Sequence, residues 1–177
     1  MCIIKKLKER KRKRRERIYE GSYEDGGTRR RIDTDAPKDI SSNELEYFFC
    51  RFSTLSIMED DSNLHCAEYA FGATKKEDGV HCTVSCKYGL EIKREEIRPH
   101  ELLATLNELI KRYEISKHNG KFYDVAGLPY FYGSEIDAVF KSGEEIHARN
   151  NQDPFIEIGF MQELCSAFGI SRINEEN

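Results

Sequence analysis

The sequence has few of the features that mark fibrous, repetitive or membrane-spanning proteins. Its 177 residues include four prolines, twelve glycines and no tryptophan, and no segment repeats at a fixed period. This composition excludes collagen-like, low-complexity and repeat architectures. The longest apolar runs, at 47–50 and 156–161, are far shorter than the roughly 20 residues of a bilayer-spanning helix, so we expect no transmembrane segment.

We also expect no secretory signal at the N-terminus. Residues 1–4 are followed at once by basic residues, which leaves no room for an apolar region of roughly 7–15 residues. We therefore expect a cytoplasmic protein with reduced thiols. On that basis the six cysteines are predicted to be mostly buried and inert, at positions 2, 50, 66, 82, 86 and 165.

Positive charge is concentrated at the N-terminus, although the net charge of the chain is −4. Residues 1–31 hold 13 Lys/Arg and 5 Asp/Glu, a net of +8, while residues 32–177 hold 15 and 27, a net of −12. Segment 5–17 has only Leu7 as an apolar residue, and glycines follow it. We predict a basic arm over residues 1–35 that is flexible or partner-dependent, a linker at about 20–40, and a single domain over 36–177.

The basic arm is the strongest functional signal in the sequence. A block of like charges gains free energy from counterion release when it meets phosphate. This indicates contact with nucleic acid, a ribosome-like particle or an anionic membrane surface through residues 5–31. Aromatic side chains among the basic residues would strengthen this hypothesis, but only Tyr19 and Tyr23 lie near. The candidate phosphate-binding residues are Lys11, Arg12, Lys13, Arg14, Arg15, Arg29, Arg30 and Arg31.

Periodicity in the rest of the chain predicts an α+β fold. Strand patterns occupy 45–58, 64–74, 80–88, 135–140 and 144–149, and residues 90–97 either extend the sheet or form a short edge strand. Helical spacing occupies 99–113 and the segment from Pro154 to Gly169. We predict an antiparallel sheet of about five strands with two helices on one face. A turn centred near Glu77 would place Cys82 opposite Gly72 and Cys86 opposite Glu68.

Four short motifs lie between the two predicted helices: His118-Asn119-Gly120, Gly133-Ser134, Lys141-Ser142-Gly143, and the Asn-rich stretch 150–154 that ends in Pro154. With these motifs, residues 102–168 resemble a group of uncharacterised bacterial domains that have a Trp-Asn-Gly-like corner, an Asp-Gly-Ser-containing strand and an Asn-rich stretch before a C-terminal helix. This sequence departs from that pattern with His118 in place of Trp and with Tyr132 before the Gly-Ser pair. The resemblance implies a fold rather than an activity.

Cysteine and histidine side chains form the first candidate for chemistry. Cysteine and histidine can bind Zn²⁺ or form a Cys–His nucleophile pair. The candidate residues are His65, Cys66, His81, Cys82 and Cys86. Their spacing lacks the close C-x₂-C pairing of structural zinc sites, and no family-specific signature surrounds them. We therefore favour core cysteines with exposed histidines, and we predict neither a metal nor another cofactor.

A second candidate for chemistry lies on the last predicted strand. Glu145 and His147 alternate along it and share a face, as a general acid and base would. Such residues are more often the solvated side of a hairpin, and we assign no catalytic residue.

Our leading hypothesis is a non-enzymatic protein-binding module, of the immunity or antitoxin type, whose acidic surface engages a cationic partner. The candidate binding residues cluster on one predicted hairpin and are Glu135, Asp137, Glu144 and Glu145. One alternative is a nucleic-acid-associated protein that acts through its basic arm. Another is an enzyme that uses the Cys/His cluster.

Overall fold

The computed structural model describes residues 27–54, 68–88, 90–128, 133–152 and 155–170. These residues form two α-helices, α1 (Glu101–Arg112) and α2 (Ile158–Ala167), and a short 3₁₀ turn at Ile115–His118. The described strands are β1 (Thr28–Ile32), β2 (Leu45–Ser53), β3 (Glu68–Lys76), β4 (Gly79–Tyr88), β5 (Leu90–Arg98), β6 (Lys121–Val125), β7 (Ser134–Phe140) and β8 (Glu145–Asn150).

The eight described strands form one mixed sheet in the order β1-β6-β8-β7-β2-β3-β4-β5. Strands β6 and β8 are parallel, and the other neighbouring pairs are antiparallel. The predicted antiparallel sheet of about five strands is therefore wrong in strand number and in direction, whereas the α+β class is confirmed. The missed strands are β1 and β6. Strand β1 lies inside the range 1–35 that the sequence assigned to the arm, so the sheet includes residues before Ala36.

The hairpin of β3 and β4 turns through Glu77 and Asp78, with Lys76 opposite Gly79. This register places Cys82 opposite Ala73 and Cys86 opposite Tyr69, so the predicted partners of both cysteines are wrong by one residue. A shift of one residue changes the face on which a side chain lies. Because Ala73 and Tyr69 are buried, the observed register directs both cysteines into the core.

One face of the sheet, here called the helix face, packs against both helices. Phe48, Cys50 and Phe52 alternate along β2 and are fully buried there. Helix α1 adds leucines at the i, i+3 and i+4 spacing that forms an apolar stripe, and α2 adds Phe160. Each large apolar side chain buried in this way contributes roughly 1.5–3 kcal/mol. The other side of the sheet is called the opposite face.

Two arginines of β5 secure the C-terminal end of α2. Arg94 and Arg98 both donate from Nη2 to the carbonyl oxygen of Phe168, and the Arg98 contact measures 3.2 Å. The last carbonyls of a helix have no partner within the helix and carry partial negative charge, so cations are favourable there. Strand β5 and helix α2 are thereby held together at one end of the molecule.

Candidate functional site

Strand β1 distributes the three arginines of the basic segment over both faces of the sheet. Because side chains alternate along a strand, Arg29 and Arg31 lie on the opposite face and Arg30 lies on the helix face. Arg29 is opposite Asp124 of β6 and is buried, with 9% of its surface exposed. Arg30 is exposed. Of this run, Arg30 is therefore the residue most accessible to a ligand.

Arg30 lines a cleft at the β1 end of the helix face. It stands in one row across three strands with Tyr123 of β6 and Asn150 of β8. Its guanidinium carbon lies 5.9 Å from the centroid of the Tyr123 ring. The cleft has a volume of about 560 Å³ and is lined by Thr28, Arg30, Tyr123, Val125, Asn150 and Gln152.

Hydrogen bonds hold the floor of this cleft in place. The buried amide of Asn151 accepts from the backbone N–H of Val125 at 2.8 Å and donates to the Val125 carbonyl at 3.0 Å, which ties β6 to the end of β8. The backbone N–H of Gln152 donates to Asn150 Oδ1 at 2.9 Å. Gly133 packs so closely that an added Cβ would lie 1.8 Å from the Asn150 carbonyl oxygen. These contacts fix the positions of the backbone segments from which Val125, Asn150 and Gln152 project.

The side chains of the cleft suit binding better than catalysis. A guanidinium offers a planar set of donors to phosphate or carboxylate, an aromatic ring offers a stacking surface, and amides offer both donors and acceptors. The six lining residues include no His, Cys, Asp or Glu, the usual sources of a base or a nucleophile.

The opposite face carries two ion pairs close to the predicted acidic site. Arg149 donates from Nη2 to Asp124 Oδ2 at 2.6 Å, and the two side chains are 9% and 7% exposed. Arg51 donates from Nη2 to Glu135 Oε2 at 2.9 Å. Glu135 is itself buried. Its carboxylate is thus already engaged by a cation of the same chain.

Two further carboxylates of the predicted acidic site contact His147. Asp137 Oδ1 lies 2.6 Å from Nδ1 of the imidazole, and Glu145 Oε2 lies 2.9 Å from Nε2. Glu145 and His147 therefore do share a face. Since both ring nitrogens face a carboxylate and the imidazole side chain is 14% exposed, the arrangement is that of an internal hydrogen-bond network.

Glu144, the fourth acidic candidate, anchors the loop that precedes β2. Its carboxylate accepts from the backbone N–H groups of Ser41 and Ser42 at 2.9 and 3.0 Å. The hydroxyl of Ser142 donates to it at 2.7 Å. These bonds, led by that from Ser41, lower the pKa of Glu144. Glu144 therefore contributes to loop geometry.

The described cysteines are buried thiols. Cys50, Cys82, Cys86 and Cys165 are all buried, and burial raises the pKa of each. For Cys165 the pKa rises to about 12. A nucleophilic cysteine needs a lowered pKa, so these four do not have the character of a reactive thiol.

His81 is the one histidine of the Cys/His candidate among the described residues, and its ring contacts other side chains than these thiols. His81 contacts Asp78 at 2.8 Å through Nε2 and Lys76 at 3.1 Å through Nδ1, on the exposed side of the hairpin. Within the part of the chain that the structure describes, no group of three or more His, Cys, Asp or Glu side chains could hold a metal ion. His65 and Cys66 lie outside the described residues.

The motifs of the bacterial domain resemblance occupy backbone corners. The Asn119 side chain donates to the carbonyls of Pro37 and Glu145, and it accepts from the His147 backbone N–H at 2.8 Å. Gly120 has φ of +78°, and an added Cβ would lie 2.6 Å from the Asp33 carbonyl oxygen. Asn119 and Gly120 therefore fix the geometry of this corner.

Sequence reasoning nominated Arg30 but missed Tyr123, Asn150 and the rest of the cleft. Tyr123 and Asn150 come from β6 and β8, far from β1 along the chain, and only strand pairing brings them to Arg30. The alternation of Lys121–Val125 was a usable signal for β6. Of the other basic candidates, positions 11–15 lie outside the described residues.

Comparisons with known protein families, with curated proteins and with solved structures find no match to this chain. The resemblance of residues 102–168 to an uncharacterised domain group therefore stays a prediction. None of the helices formed by the described residues has the length and apolar character of a membrane span.

Proposed function

We propose that this chain is a non-enzymatic, cytoplasmic protein that binds nucleic acid through its basic N-terminal segment and the cleft that β1 lines. The position of Arg30 carries the proposal. Arg30 belongs to the basic sequence 1–31 and is also the cation of a cleft with an aromatic ring and two amides. The basic sequence thus ends in a strand that lines the polar cleft.

The charge distribution supports contact at this end of the molecule. Residues 1–31 carry a net charge of +8 and residues 32–177 a net charge of −12. A polyanion is attracted by the first region and repelled by the second, so phosphate contact is confined to the N-terminal segment and its surroundings. The attraction would be sequence-independent, because phosphate contacts position a protein without specifying bases.

The salt dependence of binding tests this proposal. The affinity for labelled RNA and DNA would be measured by fluorescence anisotropy between about 50 and 200 mM salt. We expect a steep loss of affinity with salt. The triple substitution Arg12→Gln, Arg14→Gln and Arg15→Gln should reduce the slope of log K against log salt by roughly one per lost phosphate contact.

A matched control uses cations of the acidic body. Lys111→Gln with Lys117→Gln removes two exposed charges far from β1 in the sequence and should leave the slope unchanged. Undetectable binding at about 50 mM salt, or equal slopes for all the variants, would contradict the proposal.

A protein-binding module is our second proposal, and the exposure of the acidic side chains limits where a partner could bind. Glu135 and Asp137 are buried beside Arg51 and His147, whereas the Glu145 side chain is 24% exposed. A cationic partner would therefore bind at the Glu144–Glu145 end of the hairpin. Pull-down from nuclease-treated lysate should then retain a basic protein on the wild type and less of it on Glu145→Gln; equal retention would exclude this surface.

A further inference from the structure

We infer that the cleft is specific for single strands: one unpaired base stacks on the Tyr123 ring while Arg30 holds an adjacent phosphate. This inference rests on the proposed function and adds to it the strandedness of the nucleic acid. It uses one row of residues across β1, β6 and β8, namely Arg30, Tyr123 and Asn150.

The Tyr123 ring can accept such a base. Its present neighbour Arg30 lies 5.9 Å from the ring centroid, close to the outer limit of about 6 Å for a cation–π contact. Arg30 is exposed, so this contact is weakened further by water. A base stacked on an aromatic ring is held more strongly than an exposed cation–π pair. Displacing the guanidinium toward a phosphate therefore costs less than stacking gains.

The neighbours of Tyr123 match the two ends of a nucleotide. Adjacent strands are roughly 4.8 Å apart, so a base above Tyr123 has Arg30 on one side and the Asn150 amide on the other. The guanidinium suits the phosphate, and an amide can both donate to and accept from the edge of a base. Gln152 offers a second amide in the same cleft.

A duplex cannot use this site in the same way. Its bases are stacked on one another, and their faces become available to a protein aromatic ring only when a strand is single or splayed out. A duplex would therefore contact the basic segment through phosphates but leave Tyr123 unused. The structure thus predicts tighter binding of a single strand than of the duplex that contains it.

The test compares Tyr123→Leu with Tyr123→Phe in the full chain. Affinities would be measured by fluorescence anisotropy for a mixed-sequence RNA of roughly 16 nucleotides and for its duplex, at one salt concentration. We expect Tyr123→Leu to weaken single-strand binding by roughly 5- to 100-fold and to leave duplex binding unchanged. Tyr123→Phe keeps the ring and should bind within about twofold of the wild type.

A measurement on the wild type guards against a variant that folds poorly. A single strand containing 4-thiouridine, cross-linked by light and digested, should give its adduct on the peptide that contains Tyr123. Adducts confined to other peptides would overturn the inference.

The failures of the two proposals are distinguishable. Salt-dependent binding that is equal for single strand and duplex, and indifferent to Tyr123→Leu, would overturn the stacking site and keep the proposed function. Absence of salt-dependent binding to either nucleic acid would overturn both.

Discussion

At the residue scale, the four carboxylates that we predicted to form one acidic surface have different structural roles. Glu144 accepts hydrogen bonds from Ser41 and Ser42, and it fixes the loop that leads into β2. Glu135 is instead held by Arg51 on the opposite face. Proximity in sequence therefore grouped side chains that have separate partners.

The anchoring role of Glu144 should be visible in how the substitution Glu144→Gln changes the pH dependence of stability. The pKa of Glu144 is lowered in the folded protein from an ordinary value of 4.5, led by the hydrogen bond from Ser41. Its carboxylate therefore stabilises the fold above that ordinary pKa, and the stabilisation is lost as the pH falls through the lowered value. Thermal unfolding of wild type and variant should differ most near neutral pH and converge once the pH lies below the lowered pKa of Glu144.

Glu108→Gln supplies the control for this measurement. Glu108 is exposed on α1, so its substitution by Gln removes one carboxylate without affecting the hydrogen bonds to the Ser41–Ser42 loop. If Glu144→Gln and Glu108→Gln gave the same dependence of melting temperature on pH, Glu144 would have no anchoring role.

At the scale of helices and strands, the elements that could be predicted are those with a clear local sequence pattern. The β3–β4 hairpin and α1 follow from local patterns, alternation around Asp78-Gly79 in one case and leucines at helical spacing in the other. Strand β1 escaped prediction because Thr28–Ile32 is arginine-rich. The alternation of Lys121–Val125 was visible, but the pairing of β6 with β1 joins segments that are remote in the chain. No local pattern reports such a pairing, nor the parallel contact between β6 and β8.

The same limit applies to the candidate site. The charge of residues 29–31 is visible in the sequence, so Arg30 could be nominated. Tyr123 and Asn150 could not be joined to it, because only the order β1-β6-β8 places the three in one row. Charge alone therefore identified the cation of the cleft and none of its partners.

The parallel pair of strands leads to a prediction about the Arg149–Asp124 ion pair, which joins β8 to β6. Arg149→Met leaves the buried Asp124 carboxylate without this cation, and we expect the free energy of unfolding to fall by about 3–5 kcal/mol. The double variant Arg149→Met with Asp124→Leu should lose less, because replacing a whole buried pair by apolar side chains is often tolerated. Urea unfolding followed by circular dichroism measures both changes.

This account would be contradicted if the double variant lost at least as much unfolding free energy as its two single variants lose together. That outcome would mean that the two charges do not compensate each other in the folded protein.

At the scale of the whole molecule, β1 joins two regions of opposite charge. The basic sequence ends in this strand, and β6 pairs with it along five residues, so the boundary between basic and acidic sequence lies inside the sheet. Beyond β1, the backbone N–H of Asp33 donates to the Gly120 carbonyl at 2.8 Å. A truncation that removes the predicted arm over residues 1–35 would therefore also remove part of the fold.

Two shortened chains, one beginning at Gly27 and one at Ala36, separate these contributions. Both lack residues 1–26, so they differ only in β1 and the turn that follows. Loss of β1 removes the hydrogen-bond partners on one side of β6, whose other side still pairs with β8, and leaves buried Asp124 without Arg29 opposite it. We expect the Ala36 chain to unfold with a free energy lower by about 2 kcal/mol or more, measured by urea denaturation. Equal unfolding midpoints and slopes would mean that β1 is peripheral to the fold, and the cleft that depends on it would then have no stable wall.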